Sequence, residues 1–328
     1  MPLKPRISRT AAYVAAARAI GAREPDPQVR NPDYFAEHLI GDPSRFDLDL
    51  PVMHALGESY EDAMRDAEVA GTVCAMIVRA RFIDEALERA VAAGATQLLI
   101  LGAGLDSHAY RFAPLLEPLL VFEVDQPATQ EYKRTQIAKI VGEPPENLRF
   151  VALNIGGDDL RGTLTRHGFD FSERTFVIME GLTMYLSEDE LSATLTTLAA
   201  LPAGSSVVFD FVSSIMQQMI AGIDLTVLEG PARAFAERFL HLTRDEPWRF
   251  GFPFRGEQSY IEALGLELKE MLDVGCSEAV RRYLTRDDGS CVGDDALAAI
   301  RQPQSSADAA QAEAMSYRIA EAFVPFRH

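Results

Sequence analysis

The sequence predicts an α/β fold built on a mostly parallel sheet, and three observations carry that prediction. Between residues 97 and 212, five short apolar runs alternate with helical segments. Runs such as TFVIM and SVVFDFV are apolar along most of their length rather than at every second position, as in strands buried on both faces. The first run, QLLILGAG, closes on glycines at a strand's carboxyl end, where open α/β sheets bind their ligands.

The elements follow in chain order. Residues 8–22 read as a helix opened by Ser8 or Thr10 and closed at Gly21. Residues 24–57 are punctuated by Pro25, Pro27, Pro32, Pro43 and Pro51, with room for one short helix at 34–40. Residues 59–93 are helical in one or two pieces. Strand, glycine turn, helical segment and strand then follow one another from 97 to 125. Further on, TQEYKRTQIAKIVG is a helix, NLRFVALN a strand, DDLRGTLTRHG a short helix and RTFVIMEG a strand. SEDELSATLTTLAAL starts at Ser187, with Glu190 completing a capping box. SSVVFDFVS is a strand. Residues 214–250 hold more helix than a strand-to-strand connection needs, and SYIEALGLELKEML reads as helix then strand. Residues 286–311, rich in Asp, Ser, Gln and Ala, read as a mobile loop, and AMSYRIAEAFVPF as a last strand.

Composition narrows the class of partner. The chain has 328 residues and a net charge of −18, which disfavours nucleic acid and anionic membranes as general partners. No window offers 18 uninterrupted apolar residues, so no membrane span is expected. Cys74, Cys276 and Cys291 are odd in number and far apart, which suits a reducing cytoplasm. The six histidines form no HExxH pair, and no metal site is expected. The first 23 residues hold five basic side chains and no acid. They read as a basic amphipathic helix lying on an acidic body, in preference to a targeting segment.

Gly102 and Gly104 let a backbone approach a ligand without Cβ interference. The next strand ends in Glu123-Val124-Asp125, and a carboxylate about 20 residues past such glycines can hold both hydroxyls of a ribose. This arrangement serves NAD and S-adenosylmethionine alike. The dinucleotide pattern wants a third glycine at position 107, which is Ser107, whereas S-adenosylmethionine has no phosphate to cradle. Asn154 follows the third strand, where an amide can accept from an adenine amine. Glu180 ends the fourth, where a carboxylate can attract a sulfonium or ammonium group.

LLILGAGLDSHAYRF, VFEVDQPATQEYKRTQI and VIMEGLTMYLSEDEL, in this order and spacing, resemble the leucine carboxyl methyltransferase family. They are nearest to its bacterial branch of S-adenosylmethionine-dependent O-methyltransferases. SRTAAYVAAARAIGAREPD and VRARFIDEAL fit the same branch. The resemblance implies the class I methyltransferase (Rossmann-like) fold, with seven strands, the last antiparallel. It also implies an N-terminal helical cover over 1–93, a core over 94–328 and a helical lid near 214–254. It implies that Arg79 grips the cofactor's carboxylate and that Gly102, Ala103 and Gly104 line it. Asp125 would bind the ribose, Asn154 with Ile155 the adenine, and Glu180 would face the methionine amine. The family usually has Asp in place of Asn154, and its bacterial branch reads Asp-Thr-Arg-Ala where this chain has Asp106-Ser107-His108-Ala109.

A hydroxyl acceptor would benefit from a base, and His108 and Tyr185 are the candidates, with packing as the alternative role of each. A carboxylate acceptor needs none. Met216, Met219, Phe235, Phe239, Trp248, Phe250, Phe252 and Phe254 suit the wall of an apolar acceptor pocket. The expected partner is therefore a small organic acceptor, such as a polyketide-type metabolite carrying a hydroxyl or carboxyl group. The rival readings are an NAD(P)-dependent dehydrogenase and a non-catalytic binder on the same fold. Oligomeric state is not legible.

Overall fold

The computed structural model describes residues 8–294, 296–297, 313–314 and 317–326. Its N-terminal part is helical: α1 (Arg9–Gly21), α2 (Ala36–Ile40), α3 (Pro51–Ala55), α4 (Tyr60–Ala63) and the long α5 (Ala67–Ala92). Strands and helices then alternate through β1 (Gln97–Leu101), α6 (His108–Arg111), α7 (Ala113–Leu116), β2 (Leu120–Asp125), α8 (Pro127–Val141), β3 (Leu148–Ala152) and α9 (Leu160–Arg166). β4 (Thr175–Met179), α10 (Glu188–Leu198) and β5 (Ser206–Val212) follow. The last part holds α11 (Ser214–Ala221), α12 (Gly230–Thr243), α13 (Glu257–Ala263), β6 (Glu267–Asp273), α14 (Ser277–Tyr283) and β7 (Tyr317–Phe323).

The seven strands lie in the order β3-β2-β1-β4-β5-β7-β6. β1 to β5 are parallel, and β7 is antiparallel to both β5 and β6. β1, β4 and β5 are buried along their whole length, which explains their mainly apolar sequence. One face packs on α5 and α1, with Phe82, Ile77 and Ile20 fully buried. The other face packs on α9, α10 and α13 through Leu164, Leu191, Leu195 and Ile261. The predicted capping box forms: Ser187 Oγ accepts from the Glu190 N–H, and Glu190 returns a bond to the Ser187 N–H at 2.7 Å.

Two sequence expectations are corrected here. α1 does not lie on the surface. Ten of its thirteen residues are buried, Arg9 and Arg18 among them, because an alanine-rich helix is narrow enough to pack against α5, α2 and α3. The proline-rich stretch holds α3 as well as α2, with Pro51 at the first helical position, where its missing N–H costs nothing. The loop expected over 286–311 is described only to residue 297. Thr285 and Cys291 there form a β-bridge, and 298–311 lie outside the described residues. No helix among the described residues is long and apolar enough to cross a membrane.

Candidate functional site

The carboxyl ends of β1, β2 and β4 open onto a cavity of about 500 Å³, a volume typical of small-molecule sites. Its glycine turn runs from Gly102 to Asp106. Gly102 and Gly104 have φ of +69° and +42°, a backbone that side chains disfavour. A Cβ on Gly102 would also come within 3.1 Å of Leu182 Cδ1. The turn closes with the Asp106 N–H donating to Ala103 O at 2.7 Å. Asp125 braces it from β2. One of its oxygens accepts from the Gly104 N–H and the other from the Gln126 N–H at 2.5 Å. Burial raises the Asp125 carboxyl above its ordinary range, against the pull of these two N–H groups.

An ionic group forms the opposite part of the floor. Arg79 reaches up from α5 and is 3% exposed. It donates to Glu180, to Asp210 at 2.9 Å and to Tyr317 Oη at 2.6 Å. Its Nε is buried with no hydrogen-bond partner among the described residues. Tyr317 Oη donates in turn to Asp210. Tyr317 reaches this place because β7 is antiparallel, so its first residue pairs with Val212 at the carboxyl end of β5. Arg18 of α1 donates to Leu105 O at 2.7 Å and lies 3.5 Å from Glu180. Burial opposes ionisation of Glu180, but Arg79 and Arg18 outweigh it and hold this carboxyl low. Burial pushes Asp210 the other way, above its ordinary range, despite Arg79.

The roof comes from α1 and from the segment after α12. Glu246 accepts from Ser8 Oγ at 3.0 Å and Thr10 Oγ1 at 2.7 Å. The Arg249 N–H donates to Met184 O at 2.7 Å, and the Arg249 guanidinium pairs with Glu190. The rest of the wall is mostly apolar or aromatic, with Met76, Met184, Tyr185, Met216, Phe239 and Trp248 as its large side chains and Thr243 and Asp245 among its polar ones.

The structure brings together Arg79, Gly102, Ala103, Gly104, Asp125, Glu180 and Tyr185 around this cavity. It does not bring in Asn154 or Ile155. The Asn154 N–H donates to Asp158 at 2.9 Å and its side-chain amide to the same oxygen at 3.4 Å. Ile155 packs on the apolar cluster under α9 and α10. Gln126 and Thr129 line the cavity next to Asp125 instead. His108, expected to face the transferring methyl as a base, is absent from the lining. Its ring is buried, 2.6 Å from Asp106 through Nδ1 and 3.0 Å from Asp84 through Nε2. Burial disfavours the imidazolium, but Asp106 outweighs it and pushes the histidine up to about 9. Burial likewise raises the Tyr185 phenol. Asp106, His108 and Glu180 hold their polar atoms within 4.8 Å of one another, but each is already paired with a side chain of opposite charge.

Sequence reading missed Arg18, Asp210, Tyr317 and Glu246. Arg18 had a signal, as a charge in the middle of an alanine-rich helix. The other three depend on topology.

A family model described as "Leucine carboxyl methyltransferase" matches residues 11–199. A Mycobacterium tuberculosis protein, named as an S-adenosyl-L-methionine-dependent methyltransferase, is 35% identical over 238 residues, covering 71% of either chain. A Mycolicibacterium gilvum protein of the same designation is 32% identical over 222 residues, covering 64% of this chain and 67% of its own. A crystal structure of a DUF574-family protein from Streptomyces avermitilis shares the fold. It has a TM-score of 0.51 and 16% identity, and covers 98% of this chain and all of its own.

Proposed function

The chain belongs to the leucine carboxyl methyltransferase family and is an S-adenosyl-L-methionine-dependent methyltransferase, and from that premise we propose that it methylates an oxygen of a small, apolar organic acceptor. The cavity residues fit the cofactor. The unpartnered, buried Arg79 Nε offers a donor to the methionine carboxylate, and Glu180 offers its charge to the amine. Asp125 stands where two ribose hydroxyls would be held, and the turn at Gly102–Gly104 has no Cβ to obstruct the sugar. When bound, the cofactor supplies an electrophilic methyl on a sulfonium. The chain's own part is to bind, align and keep water out.

The observation that carries the choice of acceptor is the state of the cations. Arg18, Arg79 and Arg249 are the arginines lining the cavity, and each already faces a carboxylate. The wall beyond them is mainly Met, Phe, Tyr and Trp, with Thr243, Asp245 and Glu246 at the roof. Among the described residues such a pocket has no spare counter-ion for an acceptor carboxylate once Arg79 serves the cofactor, which favours a neutral hydroxyl on an apolar frame. A polyketide-type phenol or alcohol has that chemistry. The segment 214–254 then acts as the lid and residues before 94 as the cover. The test is transfer of labelled methyl from S-adenosylmethionine to matched panels of phenols, alcohols and carboxylic acids. Methyl ethers as product support the reading. Methyl esters as the main product refute it, and cofactor binding without transfer to any panel would favour a non-catalytic binder.

A further inference from the structure

We infer that His108 is a positioning residue for the cofactor turn: as an imidazolium it ties Asp106, the last residue of that turn, to Asp84 on α5, and losing its proton loosens the turn and weakens cofactor binding. This rests on the reading that Gly102–Asp106 holds the cofactor.

A carboxylate beside each ring nitrogen favours the doubly protonated ring. Nδ1 stands 2.6 Å from one Asp106 oxygen, and the His108 N–H donates to the other at 2.8 Å. Nε2 stands 3.0 Å from Asp84 Oδ1, close enough for an ion pair though not aligned for a hydrogen bond. Only the imidazolium has a proton on both nitrogens. Either neutral tautomer sets a lone pair against a carboxylate oxygen. Both carboxylates are themselves buried, Asp106 at 5% and Asp84 at 9% exposure, so the lost bond is not replaced from solvent.

The neighbours on every side are charged. Arg111 of α6 grips Asp84 with two bonds of 2.8 Å and repels the imidazolium. Asp33, in the loop before α2, accepts from Ser107 Oγ and lies 3.3 Å from Arg18 of α1. Glu180 after β4 faces the same cluster. Lys133 of α8, paired with Glu123 of β2 at 2.8 Å, acts on Asp106 from beyond the turn. Glu123 itself is pushed up to about 7 by burial. Burial opposes the charge on the Arg111 guanidinium, but Asp84 outweighs it and holds the group above its ordinary range, so Arg111 stays charged while His108 loses its proton.

The test measures binding of S-adenosylmethionine and of S-adenosylhomocysteine by calorimetry from pH 7 to pH 10, in the wild-type chain and in His108→Arg and His108→Gln. Arginine keeps a fixed charge, while glutamine supplies a neutral amide. The ligands' own amine titrates in this range, as does Glu123 below it. The quantity read is therefore the ratio of wild-type to His108→Arg dissociation constants. That ratio is expected to grow about tenfold by pH 10, as the protonated fraction of a group titrating near 9 falls. His108→Gln is expected to bind weakly already at pH 7. A ratio constant across the range overturns the positioning role. If the wild-type chain binds neither ligand at pH 7, the reading of the turn as the cofactor site fails instead. Should either variant fail to fold, the His108 ring signal in wild-type NMR decides. Cofactor must raise the pH at which it titrates, and no change with cofactor refutes the inference.

Discussion

Replacing Arg79 with methionine removes one cation from between two buried carboxylates. Asp210 has no exposed surface and the Glu180 side chain is 9% exposed. Asp210 would keep only Tyr317 Oη and the Gly181 N–H at 2.7 Å, and Glu180 only Arg18 at 3.5 Å. Breaking a buried ion pair from one side costs about 3–5 kcal/mol. For a chain of this size that is a fall in melting temperature of roughly 5–15 °C. The sign of its pH dependence follows from the same residues. Without Arg79 both folded-state carboxyls rise above their unfolded values. A raised carboxyl contributes stability that is present below the unfolded value and is lost as pH climbs through the folded one. The difference from wild type should therefore be smaller at pH 5 than at pH 8. Thermal unfolding without cofactor at the two pH values measures it. A variant as stable as wild type at pH 8, or a penalty independent of pH, would refute the assignment of Arg79 as the counter-ion of both carboxylates.

Other substitutions probe the remaining parts of the cavity. Asp125→Ala is expected to weaken S-adenosylmethionine binding at least tenfold by calorimetry, since hydrogen bonds to a charged group contribute about 1.5–3 kcal/mol each; unchanged affinity would remove Asp125 from the ribose site. Gly102→Ala places a Cβ at φ +69° and 3.1 Å from Leu182 Cδ1, so it should lower stability by about 1–2 kcal/mol. Adding Leu182→Ala should return only the steric part, as read by chemical denaturation. Glu246→Ala removes the acceptor shared by Ser8 and Thr10 and should speed hydrogen exchange in residues 242–249 while leaving β1 and β4 protected. Uniform exchange rates across both would rule out a local roof contact.

The sheet was legible because its strands have no polar side to confuse the pattern. TFVIM and SVVFDFV are buried at every position, so a mainly apolar run sufficed, even with Asp210 inside it. The glycine turn and Asp125 were legible for a local reason, since the spacing between them is set by one crossover. Asn154, read on an equally local argument, does not line the cavity. A residue after a strand was expected to face the ligand, but Asp158, four residues on, offers its N–H and amide a closer acceptor. His108 was read from its distance to Gly104, and distance along the chain does not report which way a one-turn helix rotates. Asp84, 24 positions upstream on α5, settles that direction. Asp210 and Tyr317 lay beyond sequence reasoning altogether, because their meeting depends on β7 running backwards between β5 and β6.

That reversed strand also bears on when the site comes into being. Arg18 lies near the start of the described chain and Tyr317 near its end, and both reach the ionic group around Glu180 and Arg79. A chain leaving the ribosome would have its glycine turn and Asp125 in hand long before residue 317 emerges. The proposed amino-acid end of the cofactor site would then be assembled last, by contacts between residues 18 and 317. Cofactor present during synthesis would have little to hold until that final strand is inserted. From that moment it would lock the two distant ends of the chain together.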